Sequence, residues 1–285
     1  MEEETIWQRF LQPIFSLLMD ESGLQRLSNS INWKQECDLL KDENLIYPDY
    51  YQSQNFHGIT GGYLTSSAAV SYDEVTKFVL APNETWIREE IINSIQGQPR
   101  KILDLGCGTG SSTLLLKQAF PNAEVIGLDL SPYMLAIAKY KSNRAGLKIE
   151  WLHGLAENTK LLAESFDLVT ASLLFHETPA SISKEIIKEA YRLLTPGGQV
   201  IILDGNQESL RQTPWLTNVF EEPYIQEYAQ GNLDAWFGFA GFEVIRTAQV
   251  WWMNQISLGV KPLPVKRPSF QTLTSLEDLE FVNLN

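Results

Sequence analysis

Residues 101–110 read Lys101-Ile102-Leu103-Asp104-Leu105-Gly106-Cys107-Gly108-Thr109-Gly110, an apolar run carrying a carboxylate that passes directly into three glycines at alternate positions. The run predicts a buried strand, the glycines a tight loop, and Ser111 to Phe120 a helix whose first hydroxyl residues suit capping. Glycines at every second position remove the Cβ atoms that would hold a ligand away from the main chain. The positive end of the following helix faces the same loop, so an anionic group is favoured there. Spacing then separates two cofactor classes. A dinucleotide fingerprint needs its third glycine at position 111, where Ser111 stands; the pattern here is Asp-x-Gly-x-Gly-x-Gly.

Strand and helix signals alternate downstream, as in a doubly wound, mostly parallel sheet. Ala123 to Asp129 is a second apolar run ending in an acid, and Asp129 lies 19 residues beyond Gly110. That interval, about 20 residues, is the one at which a carboxylate accepts from ribose hydroxyls; the alternative role is an acid at the helix start near Ser131-Pro132. Further elements are expected at Pro132 to Ala145 (helix), Lys148 to His153 (strand), Ser165 to Ser172 (strand) and 181–194 (helix). The turn Leu194-Thr195-Pro196-Gly197-Gly198 precedes a fifth strand ending at Asp204. Strands are also expected near Phe242 and over Val250 to Ile256.

The Asp104–Gly110 loop and the Leu-x-Pro-Gly-Gly turn resemble the class I S-adenosylmethionine-dependent methyltransferases over roughly residues 70–256, and the central motifs are similar to those of quinone-ring methyltransferases. The resemblance implies a Rossmann-like fold with a seven-stranded, mostly parallel sheet whose last strand is antiparallel. It also implies S-adenosyl-L-methionine as cofactor, with S-adenosyl-L-homocysteine as product. It assigns to the cofactor Asp104, Gly106, Cys107, Gly108, Gly110, Asp129, Leu130 and Ser172, with Leu155, Ala156 and Glu157 at the adenine. Leu155 stands where many members of the family carry an aspartate. His176 and Glu177, just after the fourth strand, are the candidate catalytic pair, orienting or deprotonating an acceptor; local packing of His176 and capping by Glu177 is the competing role. His57, Tyr63, Tyr72, Phe175, Glu222 and Tyr224 are the candidate acceptor-binding residues. No metal-ligand spacing occurs, and the three histidines lie far apart.

Charge and composition narrow the partners. With 22 basic and 35 acidic residues among 285, the net charge is -13, which leaves no basic surface for nucleic acid. The hydrophobic content of 44% suits an ordinary core. Two cysteines, Cys37 and Cys107, imply no disulfide framework and fit a reducing cytoplasm. No apolar run reaches the ~18 residues of a membrane span. Dense aromatic residues before the glycine loop and after the fifth strand suggest a small, apolar or aromatic acceptor, natural-product-like in character and belonging to secondary metabolism. A quinone ring is the alternative acceptor, and a non-catalytic S-adenosylmethionine-binding regulator the alternative function.

Three regions are expected. Residues 1–70 form an N-terminal helical and lid extension, with two amphipathic helices over 5–28 that pack on the main domain or pair a second copy of the chain as a homodimer. An aromatic loop covers 47–72. Residues 71–258 form the methyltransferase-like domain, and 259–285 an extended tail.

Overall fold

The computed structural model describes residues 20–56, 59, 61–80, 82–213, 215 and 222–264. Its centre is a seven-stranded sheet. Strands β1 (Lys101–Leu105), β2 (Glu124–Asp129), β3 (Glu150–His153), β4 (Phe166–Ser172), β5 (Leu194–Gly205), β6 (Glu243–Val250) and β7 (Asn254–Val260) lie in the order β3-β2-β1-β4-β5-β7-β6. All neighbouring pairs are parallel except those made by β7, which is antiparallel to β5 and β6. β1 has no exposed side, because alternate residues point to opposite faces. Ile102 joins one apolar cluster with Val125, Leu168 and Ile201, whereas Leu103 and Leu105 join another with Ile126, Val169 and Ile202.

Helices cover both faces. α5 (Glu84–Ser94) and α6 (Ser111–Ala119) pack Ile87, Ile91 and Leu116 on the first cluster, and α8 (Ala180–Leu193) packs Ile186, Ile187 and Ala190 on the second. α7 (Pro132–Arg144) starts with Ser131 as N-cap, its side chain accepting from Met134 N, and with proline at the first turn. α9 (Gln207–Gln212), α10 (Ile225–Gln230) and α11 (Leu233–Ala240) fill the connection from β5 to β6.

The N-terminal extension is α1 (Glu21–Ser30), α2 (Trp33–Leu40), α3 (Asp49–Gln52) and α4 (Ser66–Val79). It closes a third cluster, in which Ile31, Phe56, Tyr63, Ala68 and Ala69 meet Met134, Ala136 and Ile137 of α7. The extension therefore packs on the main domain. Of the helices expected over 5–28, residues 5–19 lie outside the described residues.

Three boundaries differ from expectation. The aromatic stretch 47–72 is not one loop: Thr65 caps Ala68 N and starts α4, so the boundary expected at 70 falls inside a helix. β7 runs over 254–260, not 250–256. Residues 251–253 make the hairpin turn with Trp251 at φ 52, and the unbroken apolar run Val250-Trp251-Trp252-Met253 carries no turn residue to signal it. β7 also passes the expected end of the domain at 258. Lys261 follows it, buried, with its N–H on the Gly198 carbonyl and its Nζ 2.8 Å from the Leu194 carbonyl and 3.1 Å from Glu164. The remainder of the expected tail, 265–285, lies outside the described residues.

Candidate functional site

In an open parallel sheet a crevice forms outside the carboxyl ends of the strands, where the strand order reverses. Here it is a cleft of about 630 Å³, counting the open solvent at its mouth, between that edge and the N-terminal extension. Gly106, Gly108, Leu128, Asp129, Leu130, Gly154, Ala156 and Glu157 form one side; Leu173, Leu174, Glu177 and Thr178 lie beyond; Tyr50, Tyr51, Tyr63 and Tyr72 come from the extension.

The three loop glycines are required for different reasons. A Cβ on Gly106 would meet Leu174 Cδ1 at 2.7 Å, and one on Gly110 would meet Trp151 Cη2 at 2.6 Å and Ala138 Cβ at 3.0 Å. Both are packing constraints. A Cβ on Gly108 would meet nothing closer than Tyr72 at 3.9 Å, so this position is kept clear on the cleft side. All three have positive φ, which disfavours any side chain.

Asp129 braces the loop from β2. Its Oδ2 accepts from Gly108 N at 2.7 Å and its Oδ1 from Ser131 N at 2.8 Å. Burial pushes its carboxyl up to about 6 despite those two donors. Asp129 thus lines the cleft and also holds Ser131, the N-cap of α7. Asp104 is different. It is fully buried, its oxygens accepting from Thr113 Oγ1 at 2.6 Å and Thr170 Oγ1 at 2.8 Å, and it supports the loop from below. Cys107 is buried, its N–H on the Leu128 carbonyl. Ser172, at the end of β4, bonds Ser112 at 2.9 Å and the buried Arg88 guanidinium at 3.2 Å. Arg88 also reaches Ser112 and Glu84, tying α5 to α6 and to the end of β4.

On the adenine side of the sequence-derived assignment, Leu130 and Ala156 line the cleft, and Leu155 forms an isolated bridge with Asn158. The Glu157 carboxylate receives the Tyr50 hydroxyl at 2.6 Å. His153 anchors the extension here. Asp42 N–H donates to its Nδ1 at 3.0 Å, so Nε2 carries the proton and faces the Leu130 carbonyl at 3.0 Å. Burial depresses its basicity, in keeping with a neutral ring.

The roof is a run of rings. Tyr47 stacks on Tyr51, Tyr51 tilts against Phe56, Phe56 stacks on Tyr63 at 5.3 Å, and Tyr63 meets Tyr72 edge to face. The Tyr63 carbonyl receives the Ser131 hydroxyl. Asp73 of α4 receives Thr109 and Lys141, clamping α4 to the glycine loop. Tyr224 donates to the Tyr50 carbonyl at 3.0 Å and so holds the roof from outside the cleft. Glu222 is buried and acts on Tyr63 and His176 through its charge. His57 lies outside the described residues.

After β4, Leu173 takes φ 57, unusual for a branched side chain, and the chain turns into a short 3-10 segment, Phe175–Glu177. The turn separates three side chains. Phe175 enters the core; its N–H donates to Asp204 Oδ2 at 2.8 Å and its carbonyl accepts from the Thr178 and Ser183 hydroxyls. His176 points at Asp204, Nδ1 to Oδ1 2.6 Å. Burial alone would lower its basicity, but the adjacent Asp204 carboxylate outweighs burial and raises His176 to about 9. The Asp204 carboxylate thus favours the imidazolium, and His176 is not among the residues that line the cleft. Glu177 is the member of the pair that lines the cleft, its Oε1 accepting from the Tyr63 hydroxyl at 2.7 Å.

Tyr50, Tyr51, Arg88, Asp204 and His153 were not singled out from sequence. One signal was present for Asp204: like Asp129, it closes an apolar run at the carboxyl edge. The others are brought in by contacts far apart in the chain. No helix among the described residues is long and apolar enough to cross a membrane.

A family model described as a methyltransferase domain matches residues 102–198. An uncharacterized methyltransferase of Synechocystis sp. is 35% identical over 156 residues, 52% of this chain and 68% of the relative. A demethylmenaquinone methyltransferase of Thermus thermophilus is 34% identical over 140 residues, 49% of this chain and 63% of the relative. The chain spans about three fifths of the length of the first curated relatives it matches. Phosphoethanolamine N-methyltransferase 2 of Haemonchus contortus, solved in complex with S-adenosyl-L-methionine, shares the fold with a TM-score of 0.56 at 15% identity, covering 78% of this chain and 61% of that one. Strand order, glycine loop and these matches converge: the chain belongs to the class I S-adenosylmethionine-dependent methyltransferase family.

Proposed function

We propose that the protein methylates a small, apolar or aromatic organic molecule, using S-adenosylmethionine held on the glycine loop. The observation that carries this is the clear space at Gly108, where the main chain is open to the cleft and a side chain would fill it. Asp129 is the ribose-facing acceptor in this proposal, because an ionised carboxylate accepts on about four lone-pair sites and its two backbone donors fix its orientation. Leu130, Gly154 and Ala156 supply the apolar and main-chain surface suited to adenine. When bound, the sulfonium cofactor supplies an already activated methyl group.

The chain's own task is then to exclude water and to align an acceptor. Tyr51, Tyr63 and Tyr72 wall the cleft, and Leu173 and Leu174 line it beside Glu177. Glu177 orients a donor on the acceptor or takes its proton, while the His176 imidazolium, held by Asp204, is a fixed positive charge 3.9 Å from Glu177 Oε1. A quinone-type ring is the second reading, favoured by the demethylmenaquinone methyltransferases among the relatives and by the flat tyrosine walls.

Incubation with methyl-labelled S-adenosylmethionine and a cell extract, followed by separation of protein, nucleic acid and small molecules, tests this. Label in the organic small-molecule fraction is expected. Label confined to protein or nucleic acid, or cofactor binding with no transfer, overturns it; the last result favours the regulator.

A further inference from the structure

The carboxyl edge of the sheet carries exposed indoles as well as the cleft. The turn between β6 and β7 presents Trp251 and Trp252 there, where β7 begins opposite the end of β5. Trp86 stands in the first turn of α5, two residues before Arg88, whose guanidinium reaches Ser172 at the end of β4. Trp215 follows Thr213, which closes α9 on Ser209, and the Ser209 hydroxyl donates to the Trp252 carbonyl at 2.7 Å. All four are at least half exposed. The indoles of Trp33 and Trp151 donate to the Ser28 carbonyl and the Ser142 hydroxyl within the fold; among the described residues, the four exposed indoles have no such acceptor. Trp251 is held at φ 52, a left-handed value that suits glycine or asparagine better than an aromatic residue. An aromatic side chain kept at a strained, exposed tip points to a use outside the chain. The turn itself, Val250-Trp251-Trp252-Met253-Asn254-Gln255, carries no charge.

We propose that this edge docks on a neutral lipid surface, with Trp251 and Trp252 as the anchor and Trp86 and Trp215 beside them. An indole combines an apolar body with an N–H that needs an acceptor, which suits the headgroup level of a bilayer. Size argues against a protein partner: the four rings leave roughly 500 Å² exposed, below the ~800 Å² that each side of a stable protein interface buries. Charge selects the lipid. With a net charge of -13 the chain is repelled by an anionic leaflet, so zwitterionic headgroups are the fit. Position gives the docking its use. β7 lies two strands from β4, about 10 Å at the spacing of neighbouring strands, and the turn after β4 lines the cleft through Leu173 and Leu174. An apolar molecule leaving the bilayer at the anchor emerges beside the cleft. The inference goes beyond methyl transfer and does not depend on it.

The test uses the full chain and phosphatidylcholine vesicles, with binding read by co-sedimentation. Binding is expected, changing less than about 2-fold between about 0.05 and 0.5 M salt and not strengthened by added phosphatidylglycerol. Trp251→Asn is expected to weaken it at least about 5-fold while leaving thermal stability unchanged or raised, since asparagine suits the backbone at that position. Adding Trp252→Gln is expected to extend the loss to at least about 10-fold. Phe239→Ala removes an exposed ring at the end of α11, ahead of the amino end of β6, and is expected to leave binding within about 2-fold. No binding to phosphatidylcholine, binding that needs anionic lipid, or undiminished binding by the tryptophan variants overturns the proposal. So does a dimer that depends on Trp251 in place of vesicle binding. S-adenosylhomocysteine binding is measured separately; its failure removes the methyl-transfer reading and leaves the docking result standing.

Discussion

At the floor of the cleft, Gly106, Gly108 and Gly154 present main chain, and the supporting side chains are fixed by near neighbours, Asp129 by the glycine loop and Ser131, Asp104 by Thr113 of α6 and Thr170 of β4. At the roof, Tyr50, Tyr51, Tyr63 and Tyr72 present side chains held by bonds that reach across more than a hundred positions, Tyr50 to Glu157 and Tyr63 to Glu177. The matched family domain, 102–198, contains the whole floor and none of the roof. A binding surface made of backbone tolerates little change in sequence, since each glycine answers a steric demand. A surface made of side chains on a separate extension can be re-cut without disturbing the fold. The family match thus falls on the floor, and the roof lies outside it.

That contrast breaks most sharply within the loop itself. Gly110→Ala places a methyl 2.6 Å from Trp151 at φ 78, so it should cost about 2–4 kcal/mol from left-handed strain and overpacking. Gly108→Ala adds only the strain, about 1–2 kcal/mol, yet should weaken S-adenosylhomocysteine binding by more than its stability loss accounts for. Denaturant melts and calorimetry on the two variants check this; equal losses of stability would show that Gly108 is also a packing position.

The junction between floor and roof is tested by pH. His176 is raised from 6.5 to about 9 in the folded protein. A base whose folded pKa exceeds its unfolded value contributes stability fully present below the unfolded pKa and lost as pH rises through the folded one. Stability should therefore fall between about pH 6.5 and 9, by about 3 kcal/mol, and His176→Asn should flatten that limb of the profile. The smallest effect belongs to the roof. Tyr50→Phe deletes one hydroxyl bonded to Glu157 at 2.6 Å and should lower stability by about 1 kcal/mol while leaving the floor's cofactor affinity nearly intact. A large loss of cofactor affinity would make roof and floor a single unit.

The floor was legible in the sequence because its cues are local. The expected bounds of β2 and β4 each lie within one residue of the observed strands, and α8 differs by one residue at each end. A strand of apolar residues and a loop of glycines carry their own explanation. The roof was legible only as a composition: its tyrosines stood out, but nothing in the order of residues says that Tyr50 meets Glu157 or that His153 receives the Asp42 N–H. Phe175 shows the limit at one position. It sits beside His176 and Glu177 in sequence, yet the 3-10 turn sends it into the core. The partner of His176 is hidden for the same reason, because Asp204 reaches it from β5, 28 residues away.

The ties of the roof also set an order in time. Asp42 to His153 spans 111 residues, Tyr63 to Glu177 spans 114, and Tyr224 to Tyr50 spans 174. None can form before β2, β3 and β4 are in place, since loops of that length repay their closure entropy only against a finished surface. The extension should therefore dock last in folding and release first in a local opening, and hydrogen exchange checks this: its amides are expected to exchange before those of β1 and β4.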